Sequence, residues 1–86
     1  MSSKKNNTAL PRYQVFLLND DTHSFEDVIK SLCDIFPTIT TQQAIDAATT
    51  VHQEGKCLLV TVHLELAETY EAWLVKAGLL VKLEKV

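Results

Sequence analysis

The sequence predicts a small α+β domain in which one three-stranded, mainly antiparallel sheet packs on three helices. Its 86 residues leave room for a single hydrophobic core. Hydrophobic residues make up 47% of the chain and charged residues 22%, which is typical of a globular protein and excludes disorder as its main state. Apolar positions follow strand and helix periodicity in the order β-α-α-β-α-β, which favours one sheet covered on one face by helices.

The first strand follows a polar segment. Residues 1–11 end in Leu10-Pro11 and are predicted to form a flexible N-terminal extension, so the domain itself is expected at residues 12–86. The aromatic and β-branched run from Tyr13 to Leu18 predicts a strand, and the polar residues Asn19-Asp20-Asp21 interrupt it.

Two helices are expected next, each beginning at a side chain that caps its N-terminus. Ser24 with Asp27 precedes a first helix whose apolar residues recur every three to four positions. Thr40 with Gln43 forms a capping box for a second helix, and Gly55 suits the left-handed turn that ends it. The buried residues expected in these two helices are Phe25, Val28, Ile29, Leu32, Cys33 and Phe36, then Ala44, Ile45, Ala48 and Val51.

The last third of the chain predicts a strand, a helix and a strand. The strand spans Lys56 to His63, the helix spans Glu65 to Ala77 with Gly78 at its end, and a half-exposed strand spans Leu79 to Lys85. The apolar stripe expected on this third helix comprises Leu66, Tyr70, Trp73, Leu74 and Ala77. The solvated face of the sheet is expected to carry Tyr13, Thr61, Lys82 and Glu84.

Composition also excludes several classes of function. The net charge of −3 argues against a nucleic-acid binder, which would normally carry a basic stripe. Cys33 and Cys57 form neither a disulfide framework nor a zinc-ligand pattern, so we expect two buried free thiols in a reducing compartment. No apolar run approaches the ~20 residues of a membrane span, and the polar start lacks the apolar core of a signal peptide. A soluble, cytoplasmic protein is therefore expected.

The densest polar cluster is the loop at residues 19–23, with the sequence NDDTH, between the first strand and the first helix. Such a loop holds side chains rigidly because both neighbouring elements are regular. Turn and capping chemistry would explain the same residues without any binding role. His52, at the end of the second helix, has a structural explanation of the same kind, because the helix dipole favours histidine there.

Metal binding and catalysis find little support in these residues. His23, His52, Asp20 and Asp21 lack the close spacing of metal ligands, so we expect no metal and no cofactor. The hydroxyl side chains beside them have no nucleophile elbow or glycine-rich loop around them, so an enzyme is not expected.

Three motifs in this order resemble the ClpS adaptor family. They are Asn19-Asp20-Asp21 followed by Glu26 and Val28-Ile29, then Val51-His52 with Gly55-Lys56, then Ala67-Glu68-Thr69. The resemblance extends from about Tyr13 to Glu84, in the same order of elements. It implies a non-enzymatic adaptor with the ClpS fold, to which the C-terminal domain of the ribosomal stalk protein is related. Members of the family deliver proteins bearing N-degrons to an AAA+ Clp unfoldase.

The resemblance also implies a binding site for the free α-amino group of an N-degron. Asn19, Asp20 and His52 would contact the amine directly or through water, and Asp21 and Thr22 would support the loop. An ammonium group carries three donors, so its receptor needs acceptors and negative charge that converge on one point.

By the same resemblance, an apolar pocket would receive the first side chain of the degron. Its lining would comprise Phe25, Val28, Ala48, Val51 and, from the last strand, Leu79. Core packing explains these residues equally well. Two positions depart from the family, because Ser24-Phe25 stands where Pro-Met is frequent and Ala48 stands where a methionine is common. We expect a side-chain preference that is narrower than the usual set of Phe, Tyr, Trp and Leu.

The partner implied is the N-terminal domain of a Clp unfoldase of the ClpA or ClpC type. Glu65, Thr69 and Tyr70 correspond to the docking surface, although Tyr70 replaces a lysine and the third helix is shorter than in many members. The N-terminal extension resembles the segment with which the family engages the unfoldase. A monomer is expected, in the cytoplasm or in the stroma of a plastid.

Two alternatives stay open at this stage. One is a protein-interaction module of the same fold that has lost or altered degron recognition, in which Asn19, Asp20 and His52 need not converge. The other is a small α/β enzyme, which would turn over a substrate without a partner.

Overall fold

A computed structural model of the chain describes residues 11–86, so all but the last residue of the predicted N-terminal extension lies outside the described part. The predicted order of elements is confirmed. The elements are β1 (Arg12–Leu18), α1 (Phe25–Ile35), α2 (Thr41–Glu54), β2 (Lys56–His63), α3 (Leu64–Lys76) and β3 (Leu80–Lys85).

The three strands form one antiparallel sheet in the order β2-β1-β3, which confirms the predicted fold class. The strand β1 is therefore central and pairs on both sides. Val15 lies opposite Val60 on β2 and opposite Leu83 on β3. The next residue, Phe16, lies opposite Leu58, so β2 has one extra residue at this point and forms a β-bulge.

One face of the sheet packs on the helices and the other is left open by residues 11–86. Val15 and Leu17 on the covered face are fully buried, because they meet Leu32 of α1 and Leu74 of α3 in one core. Tyr13 shares their side of β1 by the two-residue period of a strand and packs against this core. The prediction that Tyr13 lies on the solvated face is therefore wrong. Thr61, Lys82 and Glu84 do lie opposite open-face positions of β1, as predicted.

Both predicted helix caps are present. The backbone N–H of Asp27 donates to Ser24 Oγ over 3.1 Å, and the N–H of Gln43 donates to Thr40 Oγ1 over 3.0 Å. In each case the later side chain accepts in return from the cap backbone, which completes a capping box. Gly55 ends α2 with a φ of +89°, the left-handed conformation that its sequence position predicts.

The helix α3 is the element whose buried stripe differs most from its prediction. Ala67 and Leu74 are fully buried, Leu66 and Tyr70 are half-buried, and Trp73 is 49% exposed. The fully buried residues Ala67 and Leu74 define the face of α3 that packs into the core. Trp73 lies outside that face, and its ring contacts Tyr70 edge-on at 6.0 Å between centroids. Ala77, also expected in the stripe, is exposed at the end of the helix.

Candidate functional site

The loop between β1 and α1 is organised around the carboxylate of Asp20. Asp20 Oδ1 accepts hydrogen bonds from the backbone N–H of Thr22 at 2.9 Å, from Thr22 Oγ1 at 3.1 Å and from the backbone N–H of His23 at 3.0 Å. His23 Nδ1 lies 3.2 Å from Oδ1 and 3.3 Å from Oδ2 of the same carboxylate. The short Asp-x-Thr-His turn therefore closes on its own acidic side chain, as polar side chains in turns commonly do.

These contacts favour the ionised form of Asp20. Burial acts to raise its pKa, but the hydrogen bonds from Thr22 and His23 outweigh burial and leave the pKa below its usual value. Asp20 thus presents a fixed negative charge at neutral pH. The Asp20 side chain is only 11% exposed, so the rest of the protein shields most of this charge from solvent.

Chain geometry brings this loop next to the end of α2. The backbone N–H of Asn19 donates to the carbonyl of Gly55 over 3.0 Å, and Leu18 pairs with Lys56 in the sheet. Because Gly55 alone separates α2 from β2, this pairing fixes the last turn of α2 beside the end of β1. His52 lies in that last turn, where the helix dipole favours the positive or hydrogen-bonding side chain of histidine.

The loop, the end of β1, α1, α2 and the residue before β3 line an open cavity of about 510 Å³. Asn19, Asp20 and His52, the three residues predicted to contact an amine, all line it. Asp21 also lines it, whereas Thr22 does not; the Thr22 hydroxyl lies 3.1 Å from Asp20 Oδ1 and 3.1 Å from His23 Nδ1. The structure therefore brings the predicted polar residues to one place.

The apolar residues predicted for a pocket line the same cavity as the polar loop. Ala48, Val51 and Leu79 are at most 4% exposed and belong to its walls. Val28 is half-buried on α1. Phe25, one helical turn earlier, is 42% exposed and lies at the rim. The site thus combines charged and polar lining residues with apolar ones and includes a partly exposed aromatic ring.

His23 is a lining residue that the sequence interpretation assigned to no role beyond an unsupported metal site. Besides its contact with Asp20, its ring packs against Gly78, where a Cβ would lie 3.0 Å from His23 Cε1 and Nε2. Gly78 itself adopts a φ of +89°. The histidine therefore joins the polar loop to the turn between α3 and β3. From the sequence, only the three-residue spacing between Asp20 and His23 could have indicated the contact between these two side chains.

The predicted docking residues lie on α3, away from the cavity. Glu65 is exposed in the first turn, and Thr69 Oγ1 donates to the carbonyl of Glu65 over 3.1 Å. Tyr70 is half-buried, with its ring centroid 4.6 Å from that of Phe36. Glu65 is thus exposed and accessible to a partner, whereas the ring of Tyr70 packs against the core.

Residues 11–86 lack a cluster of metal ligands, a bonded pair of cysteines and a helix that could cross a membrane. No group of three or more histidine, cysteine or acidic side chains in this range could hold a metal ion. Cys33 and Cys57 are free and only partly buried, which corrects the expectation of full burial. Among the described helices, none is long and apolar enough to cross a membrane.

Comparison with known proteins points to a single family. Residues 8–82 match the sequence profile of a family described as ATP-dependent Clp protease adaptor protein ClpS. The chain is 36% identical over 69 residues to the ClpS adapter protein of Thermosynechococcus vestitus, covering 80% of this chain and 73% of that protein. It is 39% identical over 69 residues to the ClpS adapter protein of Synechococcus sp., covering 80% and 76%.

A solved structure agrees with these sequence matches. Agrobacterium tumefaciens ClpS2, bound to L-phenylalaninamide, superposes with a TM-score of 0.79 at 27% sequence identity, covering 88% of this chain and 98% of that one. The family comprises adaptors of a protease rather than enzymes, which agrees with the expectation from the sequence. The profile spans most of the chain and the fold matches, so this chain belongs to the ClpS family of ATP-dependent Clp protease adaptors.

Proposed function

We propose that this adaptor binds proteins through their free N-terminal amino group and bulky apolar first side chain, and delivers them to a Clp AAA+ unfoldase. The observation that carries the proposal is the cavity that joins Asn19, Asp20 and His52 to an apolar wall. A degron end has the same two parts, a cationic amine and a side chain, separated by one Cα atom.

The polar end suits an ammonium group. Asp20 supplies a negative charge, and the side chains of Asn19 and His52 supply groups that can accept a hydrogen bond directly or through water. A charge-assisted hydrogen bond contributes about 1.5–3 kcal/mol, enough to distinguish a free amine from an acetylated one. Since Thr22 and His23 already hold Asp20, little ordering is needed when the amine binds.

The apolar end suits one large side chain. Burial of a Leu or Phe side chain contributes about 1.5–3 kcal/mol, and the two ends together support micromolar binding after association costs. The ligand of the related Agrobacterium structure has matching chemistry. Phenylalaninamide carries a free α-amino group, a phenyl ring and an amide in place of a carboxylate, as does the first residue of a polypeptide.

The side-chain preference is proposed to be narrower than Phe, Tyr, Trp and Leu together. Ala48 leaves space in the wall, and the stiff ring of Phe25 lies at the rim, where a flexible methionine would adapt to several shapes. A wide base behind a rigid aromatic edge favours flat rings over branched aliphatic side chains. Equal affinity for all four residues would contradict this part of the proposal.

For delivery, we propose that the N-terminal domain of a ClpA-type or ClpC-type unfoldase binds at Glu65 and Thr69, with a minor contribution from Tyr70. Exposure of Glu65 at the start of α3 supports this surface. The adaptor is proposed to act as a monomer in the cytoplasm or a plastid stroma, with the segment before residue 12 engaging the unfoldase.

The first experiment is fluorescence anisotropy with C-terminally labelled peptides that begin with Leu, Phe, Tyr, Trp, Met or Val, each with a free or acetylated α-amino group. We expect micromolar binding of at least the aromatic peptides and its loss on acetylation. Asp20→Ala should weaken binding by at least about tenfold, which corresponds to about 1.4 kcal/mol. Asp34→Ala removes an exposed carboxylate on α1 outside the cavity and serves as the matched control.

Failure of every free-amine peptide to bind would favour the alternative, an interaction module of this fold without degron recognition. Delivery is tested separately by binding of the purified unfoldase N-terminal domain. Glu65→Lys should weaken that binding, whereas Glu68→Lys, also exposed on α3, provides the charge-matched control.

A further inference from the structure

Charge is distributed unevenly between the two layers of the domain. Ten of the eleven acidic residues lie on helices or loops, and Glu84 is the only one in a strand. Four of the six basic residues within residues 11–86 lie in the strands, namely Arg12, Lys56, Lys82 and Lys85. An acidic protein thus carries a locally basic sheet.

The open face of this sheet also carries an apolar band. In one row across the sheet, Leu58 on β2, Phe16 on β1 and Lys82 on β3 lie side by side. In the next row, Lys56, Leu18 and Leu80 lie side by side. The apolar residues therefore form a diagonal from Leu58 through Phe16 and Leu18 to Leu80, and one lysine lies on each side of it.

The apolar band is partly exposed and lies beside positively charged side chains. Leu58 is 44% exposed and Leu80 is 50% exposed. The ammonium of Lys56 lies 4.6 Å from the centre of the Phe16 ring. Lys82 contacts Glu84 at 3.0 Å, which partly neutralises that corner. The band is thus an apolar strip with a cation held over it at one corner.

We propose that this open face, comprising Phe16, Leu18, Leu58 and Leu80 with Lys56 and Lys82, docks an amphipathic helix of a partner protein whose apolar stripe is flanked by acidic residues. Two strand spacings and two residues along the strand give the diagonal a length of roughly 12 Å. That length corresponds to about two turns of an α-helix. Because the lysines lie on opposite sides of the diagonal, carboxylates on both flanks of the helix meet a cation.

Charge argues against two other occupants of the open face. The first ten residues of the chain contain two lysines and no acidic residue, so they have the same sign as the open face. Two open faces of separate copies would also repel each other, because each has an excess of lysine and arginine. The proposal does not depend on degron binding, since none of the six residues except Leu18 lines the cavity.

The test uses a helical peptide of about 18 residues, long enough to form an isolated helix. Leucines lie along one face with glutamates on both flanks, the α-amino group is acetylated, and the label is at the C-terminus. A second peptide has lysine in place of every glutamate, and a third has the residues of the first in scrambled order. Acetylation keeps the probe out of the amine site, so failure here is distinct from failure of the proposed function.

We expect saturable binding of the glutamate peptide alone, weakened by salt, with NMR shift changes at Phe16, Leu58 and Leu80. Lys56→Glu and Leu80→Ser should each reduce affinity by about tenfold or more. Both residues are exposed, so both variants are expected to fold, and circular dichroism verifies this. Lys30→Glu, an exposed lysine on α1, is the control and should change the affinity little.

Any of four results would overturn the proposal. The first is equal binding of the lysine-flanked or scrambled peptide. The second is shift changes confined to the helices, and the third is no saturation at roughly 1 mM peptide. The fourth is a concentration-dependent dimer in sedimentation equilibrium that Leu80→Ser dissociates, since the occupant would then be a second copy of the chain.

Discussion

The backbone amide of Asn19 donates a hydrogen bond of 3.0 Å to the carbonyl of Gly55, joining two segments that are 36 positions apart in the chain. This bond closes the end of β1 against the end of α2. It brings the polar loop and His52 to the same cavity. The left-handed conformation of Gly55 makes the bond possible, because it reverses the chain directly from helix into strand.

Replacement of Gly55 tests the cost of that conformation alone. A Cβ at Gly55 would meet no atom within 4 Å, so Gly55→Ala adds only the penalty of a φ of +89°. We expect a loss of about 1 kcal/mol in the free energy of unfolding, measured by urea denaturation. Gly55→Asn should lose less, because asparagine tolerates this region better. A loss far above 2 kcal/mol would show that another contact depends on this glycine.

Gly78 has the same φ but a different neighbour. A Cβ there would lie 3.0 Å from the His23 ring, so Gly78→Ala should cost more than Gly55→Ala and should also displace the polar loop. We expect weaker binding of free-amine peptides by Gly78→Ala, measured by anisotropy. In a His23→Ala background the clash is absent, so Gly78→Ala should cost about 1 kcal/mol, as at Gly55. Equal costs in both backgrounds would contradict the contact.

Stability should depend on pH through Asp20. Its pKa is lower in the folded chain than the ordinary carboxyl value, so the ionised form stabilises the fold above that ordinary value. This contribution is lost as pH falls from about 4 through the folded pKa. Urea denaturation should therefore show wild type more stable than Asp20→Asn at pH 7, with the difference shrinking below about pH 4. A difference that stays constant with pH would oppose this role of the carboxylate.

Peptide binding should have its own pH dependence. The α-amino group of a peptide has a pKa of about 7.7–8.0, so affinity should fall as pH rises well above 8. Anisotropy titrations of wild type between pH 7 and pH 10 measure this dependence. Affinity that is constant to pH 10 would contradict recognition of an ammonium group.

The space beside Ala48 is expected to set the side-chain preference. Ala48→Met places a longer chain in the cavity wall, so a peptide that begins with Trp should lose about tenfold in affinity. A peptide that begins with Leu should lose less, because its smaller side chain needs less of that space. Ala72→Met, an exposed change on α3, is the control. Equal losses for the two peptides would indicate general damage rather than altered preference.

The thiol of Cys57 should react slowly. Burial raises its pKa, and the negative charge of Glu54 raises it further, so little thiolate is present at neutral pH. In a Cys33→Ser background, reaction with a disulfide reagent at pH 7.5 should be slower than that of a free thiol peptide. The rate should rise with pH, and Glu54→Gln should increase it modestly.

The local features of this fold were predictable because their causes lie within four or five residues. Ser24 with Asp27 and Thr40 with Gln43 form capping boxes across three residues, and each was recognised from spacing alone. The turn at Gly55 was recognised for the same reason. Strand periodicity likewise placed Lys82 and Glu84 on the open face.

Predictions of burial failed where packing between elements chooses among similar residues. Tyr13 could lie on either face by its chemistry, and the buried pair Val15 and Leu17 on the same side of β1 decided the matter. Trp73 matched a helical stripe, yet the structure buries Ala67 and Leu74 and leaves Trp73 49% exposed.

The sequence by itself determined the elements, their caps and their order, since these depend on local spacing. The residues proposed to bind an amine followed from the resemblance to the ClpS family. Only the tertiary structure decided that Asn19, Asp20 and His52 line one cavity and that His23 packs against Gly78. These relationships join residues far apart in the chain. They depend on the β1–β2 pairing and on the contact between the turn before β3 and the loop at residues 19–23. No single segment of the chain encodes either of these.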